Sequence, residues 1–202
     1  MARPRSDIEP RILLAARARF SSDGVDGASL RRIASDAGTS IGMVYYYFPS
    51  KDDLFFGVVE ELYGQLLQDI EAAFAPDVSV RERVERLFAR VARLTDDELL
   101  VMRLILREAL SSNTRFARLR ERFQSGHIPL IARFIGDGYA SGAFDPALHP
   151  MVAMLSLAGL ALVPQLIRRV LADRLPFPGA PEGEELSRLL AAVLFRGTGS
   201  PK

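Results

Sequence analysis

Apolar residues recur at helical spacing along nearly the whole chain. Ile8, Ile12, Ala16 and Phe20, with Leu13 and Ala15 beside them, stripe a first amphipathic helix that should end near Asp23-Gly24. Leu30, Ile33, Ala34 and Ala37 predict a second helix of about three turns, and the Ser29 hydroxyl can accept from the amides of its first turn. Gly38 can take the left-handed conformation that ends a helix without a Cβ clash. After Thr39, Ser40 is placed to cap a short helix from Ile41 to about Tyr47, with Val44 and Phe48 facing inward.

Ser50-Lys-Asp-Asp53 approximates a capping box, and Leu54, Val58, Leu62, Leu66 and Ile70 then return every fourth residue, predicting a helix of about 24 residues that stops at Ala75-Pro-Asp77. Val80, Val84, Leu87, Phe88, Val91 and Leu94 mark another helix. Thr95-Asp-Asp-Glu98 is a full capping box opening the next, which runs to about Leu110 before Ser111-Ser-Asn-Thr114 breaks it. Phe116, Leu119, Phe123, Ile128, Ile131, Phe134 and Ile135 fit either one long helix or two joined near Gly126 and Pro129. Beyond a turn at Gly142 to Asp145, Pro150 opens an apolar helix to about Leu175, with a kink expected at Pro164. The loop Pro176 to Gly183 leads to a last helix striped by Leu186, Leu189, Leu190, Val193 and Leu194. No alternating strand pattern of useful length appears, so the class is all-α.

Two helices joined by a short turn containing glycine form a helix-turn-helix unit, whose second helix lies in the DNA major groove. The outward side of Ile41–Tyr47 is unlike a solvated surface: it carries Ile41, Gly42, Met43, Tyr46 and Tyr47. Gly42 weakens a helix by about 1 kcal/mol relative to Ala, which points to close approach by another body. Phenol hydroxyls donate to phosphate oxygens, and Ile and Met side chains can meet thymine methyl groups. Three consecutive tyrosines cannot all face one core, because each step turns the helix by roughly 100°. Tyr45 is divided between packing and DNA contact, whereas Tyr46 and Tyr47 are assigned to DNA.

The segment resembles the TetR-type (TetR/AcrR) transcriptional regulators in Ile33-Ala34, Ala37-Gly38, Ser40, Gly42, Tyr45 to Phe48, Ser50-Lys51 and Leu54, taken in order. Thr39 departs from the family, which usually has an aliphatic residue there. The resemblance implies an N-terminal three-helix helix-turn-helix domain, residues 5–65, joined by a long bridging helix to a C-terminal helical bundle, residues 66–202, for effector binding and dimerisation. Docked as other such units are, Ser29 and Ser40 face phosphates with hydroxyls and helix-terminus amides, and Lys51 adds a phosphate contact. Arg31, Ile41, Met43 and Tyr46 are the candidates for base edges. Arg31 matters most, since an Arg–guanine pair gives about 1–3 kcal/mol of discrimination. Of Arg31 and Arg32, one is expected to be merely solvated.

Composition narrows the remaining choices. The net charge is only +1, but eight bases against five acids up to Lys51 leave a head of +3 on a slightly acidic body. The absence of cysteine excludes disulfides, thiolate zinc sites and thiol redox switching. His127 and His149 lack ligand-like spacing, so neither a metal nor a cofactor is expected. No phosphate-binding glycine loop and no histidine near a motif serine supports an enzyme. The amino terminus has no signal-peptide core, so a cytoplasmic protein is expected. The uncharged stretch Pro150 to Ile167 approaches the ~20 residues of a membrane span. Ser156, Gly159, Pro164 and Gln165 interrupt it, and it reads as a buried helix with no membrane role.

One short helix reads few base pairs, so a double-stranded, (pseudo)palindromic operator and a homodimer are expected. The helices at about 150–175 and 184–196 are the expected self-association surface, as in the family, since alone they would expose a large apolar patch. The resemblance also implies a pocket in the body for a small apolar or amphipathic effector that tilts the bridging helix. Phe88, Met102, Phe116, Phe123, His127 and Met154 are its candidate lining, with plain core packing as the alternative for each. The expected function is a ligand-responsive homodimeric repressor. The alternative is a DNA-binding regulator whose body docks a partner protein.

Overall fold

The computed structural model describes residues 7–111, 114–171 and 179–198. The amino-terminal arginines Arg3 and Arg5, the break at Ser112-Asn113, the helix end expected at Leu175 and most of the Pro176–Gly183 loop lie outside them. Among the described residues there are ten helices and no strand: α1 (Ile8–Gly27), α2 (Leu30–Asp36), α3 (Ile41–Tyr47), α4 (Lys51–Ala73), α5 (Val80–Ala92), α6 (Asp96–Ser111), α7 (Thr114–Ser125), α8 (His127–Ala140), α9 (Pro150–Leu171) and α10 (Gly183–Thr198). They form two compact units. The first comprises residues up to Leu66 with Thr95–Glu121, and the second comprises Leu67–Leu94 with the residues from Arg122 onward.

In the first unit Ile12, Phe20, Ile33, Val44, Leu54, Phe55 and Val58 are fully buried, and Phe20 meets Phe55 edge-on. The helical path of α1 breaks at Gly24 (φ 73°, ψ 168°), where the sequence places its end, and one further turn follows to Gly27. The second helix is shorter than its apolar pattern suggests, seven residues or about two turns. Gly38 adopts φ 61°, and the Thr39 amide bonds the Ala34 carbonyl at 2.9 Å. This closure satisfies the end carbonyls and stops the helix at Asp36 although Ala37 continues the apolar stripe. Ser29 sits at the N-cap position in extended backbone, but its hydroxyl makes no cap bond, contrary to expectation. Ser40 does cap α3, accepting from the Met43 amide at 3.2 Å. At the start of α4 the Ser50 hydroxyl accepts from the Asp53 amide at 3.0 Å and donates to its carboxylate at 2.7 Å. Thr95 and Glu98 cap α6 reciprocally, at 2.7 and 3.2 Å. Gly57 permits α4 to pack closely: a Cβ there would lie 2.7 Å from Phe48 Cε1 and 3.1 Å from Leu13 Cδ2.

The second unit is built on α5, α8, α9 and α10, with Phe74 stacked on Phe134 at 4.5 Å and Phe144 between Phe134 and Phe195. The Arg83 guanidinium reaches Asp137 at 2.6 Å. The stretch from Thr114 to Ala140 is two helices, because Gly126 takes a non-helical conformation (φ −108°, ψ −110°) between α7 and α8. Pro129 then falls in the first turn of α8, where its missing N–H has no helical partner to lose. Helix α9 continues past Pro164 to Leu171. Its stretch Pro150–Arg169 has the length and mean hydropathy (1.8) to cross a membrane. Ala153, Leu157, Ala161 and Gln165 line its buried side, which packs on α5 and α10, while Met151, Val152, Leu155, Val163 and Ile167 are exposed. On α10, Ala191 and Leu194 are buried and Leu189 and Val193 exposed.

Candidate nucleic-acid interface

The period of α3 sorts its side chains. Val44 and the following Phe48 are buried, whereas Tyr45 and Tyr46 are 51% and 76% exposed and Gly42 is open. Ile41, Met43 and Tyr47 are half-buried at the edges of the face, and the Tyr46 and Tyr47 rings meet edge-on at 5.2 Å. Around the Gly42 Cα nothing comes closer to an added Cβ than the Ser40 hydroxyl at 3.7 Å. Packing therefore does not demand a glycine there, and helix propensity opposes one.

Beside this face the start of α2 and the side of α3 bound an open cleft of about 510 Å³. Ser29, Arg31, Ile41, Tyr45 and Lys51 line it together, with Ala28 and Leu30. Gly42, Met43, Tyr46 and Tyr47 lie outside the cleft, on the exposed helix itself. Arg31 and Arg32 are both exposed. Behind them Arg19 clasps the Asp36 carboxylate at 2.6 and 3.2 Å, and that hydrogen bonding holds the carboxyl below the usual aspartate range. Lys51 is half-buried and tied to the backbone: its ammonium donates to the carbonyls of Asp26 at 2.6 Å and Ala28 at 3.2 Å.

Sequence reasoning passed over the residues that brace this head. Arg115 pairs with Asp26, Asp52 and Glu108, Arg118 pairs with Asp53 and lies 3.9 Å over the Phe56 ring, and the buried Arg17 pairs with Glu61 and Asp97. Only Asp53 carried a local signal, through its cap. The hydroxyl of Ser50, and then Arg118, hold its carboxyl below the usual range.

The six residues considered for an effector pocket are dispersed. Met102 and Phe116 belong to the first unit, and Phe88, Phe123, His127 and Met154 to the second. Phe88 is fully buried in the core. Phe123 packs on His127 at 5.1 Å, and burial, followed by Arg122, pushes the imidazole pKa down. An open cleft of about 500 Å³ in the second unit is lined by other residues, among them Gln68, Phe74, Leu130, Arg133 and Phe134. Among the described residues no group of three His, Asp or Glu side chains is arranged to hold a metal ion.

Residues 12–58 match the family model described as bacterial regulatory proteins, tetR family. The chain is 23% identical over 146 residues to the HTH-type transcriptional regulator YhgD of Bacillus subtilis, covering 72% of this chain and 76% of that protein. It is 23% identical over 143 residues to the fatty acid metabolism regulator protein of the same organism, covering 69% and 72%. Its fold matches the crystal structure of the transcriptional regulator FadR from Bacillus subtilis in complex with stearoyl-CoA, with a TM-score of 0.75, 19% identity and coverage of 93% of this chain and 98% of that one. These relatives are regulators rather than enzymes. With a capped helix-turn-helix whose second helix exposes tyrosines, residues 12–58 are a helix-turn-helix segment of the tetR family of bacterial regulatory proteins, and the chain as a whole is similar to TetR-type DNA-binding transcriptional regulators.

Proposed function

We propose that this regulator is a homodimeric repressor released from its operator by a small apolar or amphipathic effector. The observation that carries its DNA-reading half is the outer face of α3, where Tyr45 and Tyr46 are exposed beside an unneeded glycine while Val44 and Phe48 are buried. Ser29, Ser40, Tyr45 and Tyr47 position the duplex through phosphates, and Arg31, Ile41, Met43 and Tyr46 reach base edges. The paired exposed stripes of α9 and α10 support a dimer, whose two heads read a (pseudo)palindromic site one or two turns apart. The setting is the cytoplasm, where the chromosomal operator is.

The effector half rests on likeness to a regulator solved with stearoyl-CoA, and on an open cleft of about 500 Å³ in the second unit that joins Phe74, Leu130 and Phe134 to Arg133. A ligand with an apolar chain and an anionic group suits such a lining.

The test begins with an operator selected from genomic fragments. Arg31→Ala with Tyr46→Ala should weaken operator binding by about 1–3 kcal/mol for each lost contact while circular dichroism stays unchanged. Undiminished affinity would remove α3 as the reading helix. Long-chain acyl-CoA should raise the melting temperature and lower operator affinity, because a ligand that prefers one state shifts the population toward it. If no acyl-CoA of any chain length does either, the proposed effector class is wrong.

A further inference from the structure

Arg115 stands at the start of α7, yet its guanidinium joins three distant segments of the first unit. Nη2 donates to both carboxylate oxygens of Asp26 at 2.9 Å, 89 positions away in sequence. Nη1 donates to Asp52 Oδ1 at 3.0 Å, and Nε to Glu108 Oε2 at 2.7 Å. Asp26 lies in the last turn of α1, between the Gly24 bend and the link into α2, Asp52 in the first turn of α4 and Glu108 on α6. The Arg115 side chain and that of Glu108 are buried, and the Asp26 side chain is 84% exposed. An exposed carboxylate is normally mobile, so the two charge-assisted bonds it accepts from Nη2 of a buried guanidinium are what fix it.

Three further cations bear on the same region. Lys51 holds the Asp26 and Ala28 carbonyls, so Asp26 is gripped by both its backbone and its side chain. Arg118, one turn after Arg115, reaches Asp53 at 3.3 Å. Arg107 covers the Gly24 bend so closely that a Cβ there would lie 2.6 Å from its guanidinium. Helices α6 and α7 thus bracket the connection that leads into α2.

We infer that Arg115 is a positioning residue for operator binding: it holds the Asp26–Ser29 connection against the start of α4, and so sets where α2 presents Ser29 and Arg31. This rests on the reading of α2 and α3 as the DNA interface. A displacement of α7 by about a hydrogen-bond length would release Asp26 and Asp52 together, which makes α6 and α7 a control point for the head.

The test uses the full chain with Arg115→Met, and with Arg115→Met combined with Glu108→Gln so that no buried charge is left unpaired. In protein without DNA, both variants should show amide exchange at Ala28 and Ile33, whose N–H groups bond the Gly24 and Ser29 carbonyls, at least about tenfold faster, with α5 and α9 unchanged. Unaltered exchange at Ala28 and Ile33 would overturn the inference. Arg115→Met should also weaken operator binding by about tenfold in the parent protein but by less than about threefold when Ser29 and Arg31 are already both Ala, because a residue that acts through those two contacts cannot lose its effect twice. Equal losses in both backgrounds would also overturn it. If Arg31→Ala alone leaves binding intact, Arg31 is not a contact and the reading of the interface is at fault, while the exchange experiment still decides the role of Arg115.

Discussion

The ammonium of Lys51 lies 2.6 Å from the carbonyl oxygen of Asp26, so the first residue of α4 holds the end of the connection into α2. A second bond, to the Ala28 carbonyl at 3.2 Å, engages another of its three protons. Lys51→Met should cost about 1–3 kcal/mol in urea unfolding, because both carbonyls lose a charged donor. It should also weaken operator binding while changing the slope of log affinity against log salt by much less than the ~0.9 expected per released phosphate contact. A full unit lost from that slope would show that the ammonium reaches DNA instead.

Gly42 separates folding from function. Alanine there meets nothing closer than 3.7 Å and should stabilise the protein by about 0.5–1 kcal/mol through helix propensity. If a duplex approaches this backbone, the same methyl group should lower operator affinity about tenfold. A melting temperature that rises with binding unimpaired would rule out close approach at this position.

The exposed stripes of α9 and α10 predict the oligomeric state. Leu155 is 59% exposed and Val193 55% exposed in the isolated chain. Burial of such side chains contributes roughly 1.5–3 kcal/mol each, so Leu155→Glu with Val193→Glu should raise the dimer dissociation constant at least about 100-fold. Sedimentation equilibrium reads this directly, and a variant still dimeric at low micromolar concentration would place the interface elsewhere.

His127 predicts a pH dependence. Burial, and secondarily Arg122, hold the imidazole pKa below its ordinary value in the folded state. The unfolded chain therefore takes up this proton first as pH falls. The neutral form's contribution to stability is complete above the unfolded value of about 6.5 and is lost as pH descends through it toward the folded value. His127→Gln should flatten the stability curve between about pH 7.5 and 5. An unchanged curve would show that His127 does not titrate differently on folding.

Much of the helical order was legible because its signals are local. Ser40, Ser50, Ser79 and Thr95 each accept from the amide three residues on, and three of these caps were read from spacing alone; the remaining one, Ser79, was not. The inward Val44 and Phe48 and the outward Tyr46 follow from the same helical period. Local signals fell short where two competed. The stripe through Ala37 promised a longer α2, but the closure at Gly38 won, and Gly126 divided a run whose apolar period alone allowed either outcome.

By itself the sequence determined the all-helical class, the Gly38 turn, the Ser40 and Ser50 caps of the reading head, and that Gly42 and Tyr46 face outward on α3 while Val44 faces inward, since each depends on residues within about four positions of one another; the Ser29 cap it also suggested is not made. Only the tertiary structure decided that Arg115 gathers Asp26, Asp52 and Glu108, that Lys51 faces carbonyls of an earlier segment, and that Gly57 is required by Phe48 and Leu13. Nothing along the chain marks such pairs. A guanidinium on a helix looks solvated until folding brings carboxylates from 63 and 89 positions away within hydrogen-bond reach and removes the water that would otherwise satisfy it.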